Sequence, residues 1–178
     1  KREKWSAHNE RYPGRTSLSF SSAMSKLAVG AVAVLVFLSA FGACAGADTS
    51  GLPTETIRLG GTELTVEVAA TPESRRQGLM HREELSPNRG MLFIFADTAY
   101  RSFWMKDTSI PLSLAYIRED GIITGIYELE PFSLESVDSQ TQVKYALEVN
   151  RGTFERLGVS AGDRVLLPAT LPEATDGE

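Results

Sequence analysis

Residues 90–114 read GMLFIFADTAYRSFWMKDTSIPLSL, and the rest of the chain is organised around them. Residues 91–95, MLFIF, are apolar at every position. That is the pattern of a strand buried on both faces, not of one with a wet side. Residues 102–105 alternate instead, so Phe103 and Met105 oppose Trp104 and Lys106. A bend at 108–111 leads into a strand at 112–118. A second strand at 122–129 follows Glu119-Asp120-Gly121, and Asp-Gly is the chemistry of a tight hairpin turn. Between these runs lies Trp104-Met105-Lys106-Asp107-Thr108, where an indole, a thioether, an ammonium, a carboxylate and a hydroxyl fall within five residues.

Upstream, residues 56–59 and 64–69 alternate around Gly60-Gly61, which predicts a hairpin. Leu64, Val66 and Val68 share one face; Thr65 and Glu67 take the other. A short helix follows: Thr71 can cap it, Pro72 suits its first position, Glu73 favours its dipole and Gly78 stops it. Residues 86–90 are a turn cluster. Downstream, 130–142 is a polar loop. Residues 144–150 place Tyr145, Leu147 and Val149 inward, with Ala146, Glu148 and Asn150 outward. A second short helix at 152–158 ends on Gly158, and Gly162-Asp163 turns into a last strand at 164–167. These elements predict a mainly β domain over 56–167: a compact β-sandwich or barrel of short antiparallel strands with two short helices.

The 178 residues include 18 basic and 23 acidic side chains, a net charge of −5. Residues 1–44 hold six basic and two acidic residues, a net +4, which leaves −9 on 45–178. So acidic a domain repels phosphate backbones, and no nucleic-acid partner is expected. The single cysteine, Cys44, excludes an intramolecular disulfide, and with only His8 and His81 beside it no structural zinc site is expected. No cofactor motif is present: there is no phosphate-cradling glycine loop before a helix and no Gly-x-Ser-x-Gly elbow.

The N-terminal region reads as an export signal. Met24-Ser25-Lys26 precedes an apolar run at 27–41, and small residues follow. Met24 is the expected start, and 1–23 an over-extended reading frame. The run is shorter than the ~20 residues of a membrane span. Gly42-Ala43-Cys44 resembles a lipobox, which would make Cys44 a lipidated first residue and give a membrane partner through a lipid anchor. Ordinary cleavage at Ala43-Cys44-Ala45 or Ala45-Gly46-Ala47 is the alternative within the same 24–47 segment. Either way the domain is expected to be exported, to the periplasm or cell surface. Residues 48–55 read as a polar linker, and 168–178 as a disordered acidic tail.

An ordered set of motifs resembles a known family. It comprises Glu67-Val68, Gly78-Leu79-Met80, Gly90-Met91-Leu92-Phe93, Phe103-Trp104-Met105-Lys106, Ile110-Pro111-Leu112, Asp120-Gly121, Tyr145-Ala146-Leu147-Glu148-Val149 with Gly152, and Gly162-Asp163. Over about 56–167 the chain is similar to the bacterial and archaeal family filed as domain of unknown function 192. The resemblance implies a compact, mostly β, sandwich-like fold and an unassigned biochemical function. At two positions the chain departs from the family. Asp107 stands where the family commonly has Asn, and Ser113 where it often has Asp. A ligand touching either would meet a different charge here.

The candidate ligand-binding residues are Glu67, Arg76, Trp104, Lys106, Asp107 and Glu148. Glu67 and Glu148 are the candidate catalytic pair. Two carboxylates across a cleft can act as acid and base on a glycosidic bond, at a separation of about 5–10 Å. They can equally hold a cation or bind sugar hydroxyls, or be solvated strand-face residues paired with Lys or Arg. Met80, His81, Met91 and Met105 offer soft ligands for Cu(I), against the commoner role of Met as core filler. The leading expectation is a non-enzymatic, envelope-associated module binding a small polar ligand such as a saccharide. A hydrolase of envelope glycans and a protein-interaction scaffold are the alternatives. The helix stop carries its own test: Gly78→Ala should lower the melting temperature, because an L side chain disfavours the backbone a stop requires. An unchanged melting temperature would remove that reading.

Overall fold

The computed structural model describes residues 51–176. The expected extension at 1–23, the signal segment at 24–47 and its Cys44 lie outside the described residues. Among those described, no helix is long and apolar enough to cross a membrane.

The domain is mainly β, with two short helices. Strands β1 (Thr54–Leu59) and β2 (Thr62–Ala69) form the predicted hairpin, with Gly60 and Gly61 both at positive φ as a two-residue turn requires. Strand β1 begins inside the expected linker. Helix α1 (Pro72–Gln77) has the predicted cap. Ser74 N–H donates to Thr71 Oγ1 at 3.2 Å, and Thr71 N–H donates back to Ser74 Oγ at 3.0 Å. It stops at Gly78, whose φ of 50° and ψ of −131° exclude a side chain.

Strand β3 (Arg89–Ala99) is longer than the apolar run inside it and is irregular between Ile94 and Ala99. Strand β4 (Ser102–Phe103) is shorter than predicted. Its partner β7 (Val137–Asp138) lies within the expected loop. Strands β5 (Leu112–Ile117) and β6 (Ile123–Leu129) form the Asp-Gly hairpin. Strand β8 (Val143–Asn150) precedes helix α2 (Thr153–Arg156). The expected last strand is reduced to two isolated bridges, Arg58 to Leu166 and Ile122 to Arg164.

Six strands form one sheet in the order β1-β2-β3-β8-β5-β6. The pairing is not wholly antiparallel, as the strand spacing suggested: β2 and β3 run parallel. Parallel neighbours need a crossover, and here it is made of α1 and residues 78–88. The sheet is not closed into a barrel, although residues 164–166 bridge both β1 and the end of the β5–β6 turn.

Both faces of the sheet are buried. One packs Ile57, Leu64, Val66, Leu92 and Val149 against Phe154 of α2. The other packs Met91, Phe93, Leu114 and Tyr116 beneath Leu79, Met105 and Ile110. The side chains assigned outward on β2 and β8 are therefore interior. Glu67 is 1% exposed and Glu148 4%, so the solvated-face reading of both is overturned. The tail is also more ordered than its composition suggested. Thr175 N–H donates to the Ala70 carbonyl at 2.9 Å, Arg75 donates to the Thr175 carbonyl at 2.9 Å, and Leu171 and Ala174 pack on the first core.

At the centre of the sheet β3 and β8 approach closely over Gly90. A Cβ there would lie 2.6 Å from the Glu148 carbonyl oxygen and 3.0 Å from a Val149 methyl. Gly90→Ala should destabilise the domain by about 1–3 kcal/mol through overpacking, measured by urea denaturation. A midpoint unmoved from the parent's would show that the two strands can separate without cost.

Candidate functional site

The register aligns Glu67 of β2, Met91 of β3 and Glu148 of β8 in one row across three adjacent strands. Cross-strand partners point to the same side, so both carboxylates rise from the face covered by the crossover. Their Cα atoms are two strand spacings apart, about 10 Å. The row is what the alternation of β2 and β8 implied. The cover over it is not visible from either strand alone.

The two carboxylates meet different fates. Glu67 is gripped by Arg82 in a bidentate pair: Nη1 donates to Oε1 at 2.5 Å and Nη2 to Oε2 at 2.6 Å. Arg82 comes from the connector after α1, and this fork neutralises a charge the sheet has buried. Glu148 has no hydrogen bond or ion pair to any described residue, and it belongs to the lining of a pocket of about 200 Å³. Burial pushes its carboxyl up to about 8. At neutral pH this carboxyl is therefore mostly protonated.

The pocket lies between α1 and the segment following β4. Glu148 and Phe93, both buried, form its floor. Phe95, Phe103 and Met80 are half-buried walls. The rings pack edge to face, Phe93 to Phe103 at 4.8 Å and Phe95 to Phe103 at 6.5 Å between centroids. At the mouth stand Arg76, Gln77 and Trp104, the last 50% exposed. Gly78 also lines the pocket, and a Cβ there would touch the Phe93 ring at 3.4 Å.

Three of the six candidate residues, Arg76, Trp104 and Glu148, thus converge on one cavity. The other three do not line it. Lys106 and Asp107 pair with each other at 3.7 Å on the surface, with the Lys106 ammonium 5.8 Å from the Trp104 ring centroid. Glu67 is held by Arg82, so the two-carboxylate arrangement lacks a second free group in the cavity. Met91 and Met105 fill the second core, Met80 lines the pocket and His81 is exposed. Among the described residues, no three His, Cys, Asp or Glu side chains cluster as a metal site. Sequence reasoning missed Phe95, Phe103 and Gln77 as lining residues. Phe103 carried a signal, since its alternation pointed it inward and so towards whatever the interior holds.

Comparison with known proteins places these features in context. The family model DUF192, described as an uncharacterised ACR, matches residues 55–167. A crystal structure from Sinorhizobium meliloti 1021, provisionally described as a transcription regulator, is 44% identical with a TM-score of 0.62, over 64% of this chain and 93% of that one. A protein of unknown function from Novosphingobium aromaticivorans DSM 12444 is 29% identical with a TM-score of 0.62, over 66% of this chain and 88% of that one. No curated protein matches the chain significantly.

The unpaired Glu148 makes stability depend on pH. Its folded-state value of about 8 stands above the ordinary 4.5, so the folded protein binds the extra proton between them. Stability should then fall as pH rises from about 4.5 to about 8, and level off above. Glu148→Gln removes the titrating group. Its advantage over the parent should grow across that window to the order of a few kcal/mol. Parallel stability curves for parent and variant would show that Glu148 titrates normally.

Proposed function

The chain belongs to the DUF192 family, and we propose that its domain is a non-enzymatic binding module whose pocket takes one small polar ligand. The observation that carries this is Glu148, a residue 4% exposed and without a hydrogen bond or ion pair among the described residues, lining a cavity that also has a guanidinium and an indole at its mouth. The carboxyl opens onto the cavity and is not sealed in the interior, so a small polar molecule entering there can partner it. The volume is below the ~300–1,000 Å³ of sites for drug-sized ligands, so the occupant is small. Trp104 offers a plate on which a polar ring, such as that of a saccharide, can stack. The lipobox-like Gly42-Ala43-Cys44 supports export and display in the cell envelope, tethered by lipid on Cys44. The hydrolase reading is less well supported, because Glu67 is engaged by Arg82 and does not line the pocket.

A second reading, contact with a protein partner, has one observation in its favour. Backbone bonds from Met105 to Ser133 and from Phe132 to Thr108 bring residues 132–134 beside the Trp104 segment. There Phe132 is 62% and Leu134 67% exposed, and Phe132 is held at a φ of 60° that a bulky residue rarely adopts.

Trp104→Ala separates these roles from a structural one. With half the ring already in water, the substitution should cost far less than the ~3–5 kcal/mol of a buried aromatic. It should abolish the thermal shift that a small polar ligand gives the parent, a rise of several degrees at a hundred times its dissociation constant. A flat screen against sugars, cell-wall fragments and amino acids would count against the pocket reading. Trp104-dependent capture of a protein would then favour the second.

A further inference from the structure

The deep end of the pocket says more about its occupant than the mouth does. Glu148 is the one acidic side chain in the lining, and it sits with Phe93 beneath the rings of Phe95 and Phe103. A carboxylate within aromatic walls recognises an ammonium group, through charge on one side and ring quadrupoles on the others. Cations already meet the aromatic lining: the Arg101 and Arg75 guanidinium groups lie 4.1 Å and 5.4 Å from the Phe95 centroid, and the Lys106 ammonium lies 5.8 Å from that of Trp104 at the mouth. The mouth has the opposite sign. Arg76 is exposed there and has no described hydrogen bond or ion pair. Arg75 beside it is committed to the carbonyls of Ala70, Ile94 and Thr175. A bare amine would pass these guanidinium groups without compensation, and a simple anion would find a carboxyl and aromatic rings at the bottom. A molecule carrying both charges satisfies both ends.

We propose that the pocket binds a small zwitterion, its ammonium group seated on Glu148 between the aromatic walls and its carboxylate held at the mouth by Arg76. The inference rests on the pocket reading above and gives it a ligand class. Binding has a proton balance. With burial pushing its carboxyl up to about 8, Glu148 is mostly protonated at neutral pH. The incoming ammonium favours the carboxylate, and the displaced proton leaves to solvent. The other ionisable groups near Glu148 do not confuse this signal. Glu67 across the row is paired with Arg82. The Tyr116 phenol of β5 donates to the Val137 carbonyl at 2.5 Å and is pushed above its ordinary range by burial. Arg75 of α1 donates to the carbonyls of Ala70, Ile94 and Thr175. The Lys106–Asp107 pair stands outside the lining.

The test is calorimetric titration of the purified protein with glycine, β-alanine and 4-aminobutyrate, and with glucose and N-acetylglucosamine as neutral probes. Titrations run at pH 6, 7 and 8 in two buffers of different ionisation heat. The expected result is binding of at least one amino acid, with close to one proton released at pH 6. Affinity should rise by about tenfold per pH unit before levelling near pH 8. Glu148→Gln should weaken binding and flatten that dependence. Arg76→Ala should weaken binding and keep the dependence, since it acts at the other end. Two outcomes overturn the inference alone: only the neutral sugars bind, or binding of any probe is flat with pH and sensitive to Trp104→Ala. Binding indifferent to Glu148→Gln, Arg76→Ala and Trp104→Ala together, or no binding by any probe, overturns the pocket reading as well.

Discussion

Burial of both faces of the six-stranded sheet is the constraint from which the rest of the structure follows. A sheet with one wet face can carry carboxylates at no cost. This sheet cannot, because one side is packed by α2 and residues around 165–174 and the other by the crossover and the Met105–Ile110 region. Any ionisable side chain on it must be paired, protonated or liganded. Glu67 takes the first course through Arg82. Glu148, its carboxyl pushed up to about 8 by burial, takes the second.

The crossover that creates this constraint also creates the site. Strands β2 and β3 are parallel, so the chain between them must return across the sheet. It does so with a two-turn helix that is closely specified locally: Thr71 and Ser74 close the cap, and Gly78 ends the helix in a conformation no other residue adopts easily. Stopping there leaves the end of α1 open over Phe93 and Glu148 instead of sealing them. The connector then delivers Arg82 to Glu67, while Arg76, still on α1, is exposed beside the pocket. One short element thereby silences one buried carboxylate and leaves its neighbour in the row exposed to a cavity.

Much of the domain was legible before any coordinates. The Gly60-Gly61 and Asp120-Gly121 hairpins, the capping of α1 and the doubly buried 91–95 run each rest on local chemistry: turn residues with positive φ, a hydroxyl at a helix start, an unbroken apolar stretch. The candidate site was half legible. Arg76, Trp104 and Glu148 were singled out and do share a cavity, whereas Lys106 and Asp107 were grouped with them by proximity in sequence and pair with each other on the surface. Strand β4 ends at Phe103, so alternation could not place Trp104, and both side chains line the pocket.

By itself, then, the sequence determined most of the strands, the turns, the first helix and its ends, the family and the acidic character of the domain, because those depend on neighbours within a few residues or on composition. Only the tertiary structure decided that β2 lies parallel to β3, that residues 164–167 bridge without forming a strand, and that the polar side of β2 and β8 is interior. Period-two alternation tells which residues share a face. It does not tell whether that face meets water, because the cover comes from residues 78–111, distant in sequence from β8, whose docking is set by long-range packing. That cover turned an expected surface carboxylate into a buried one.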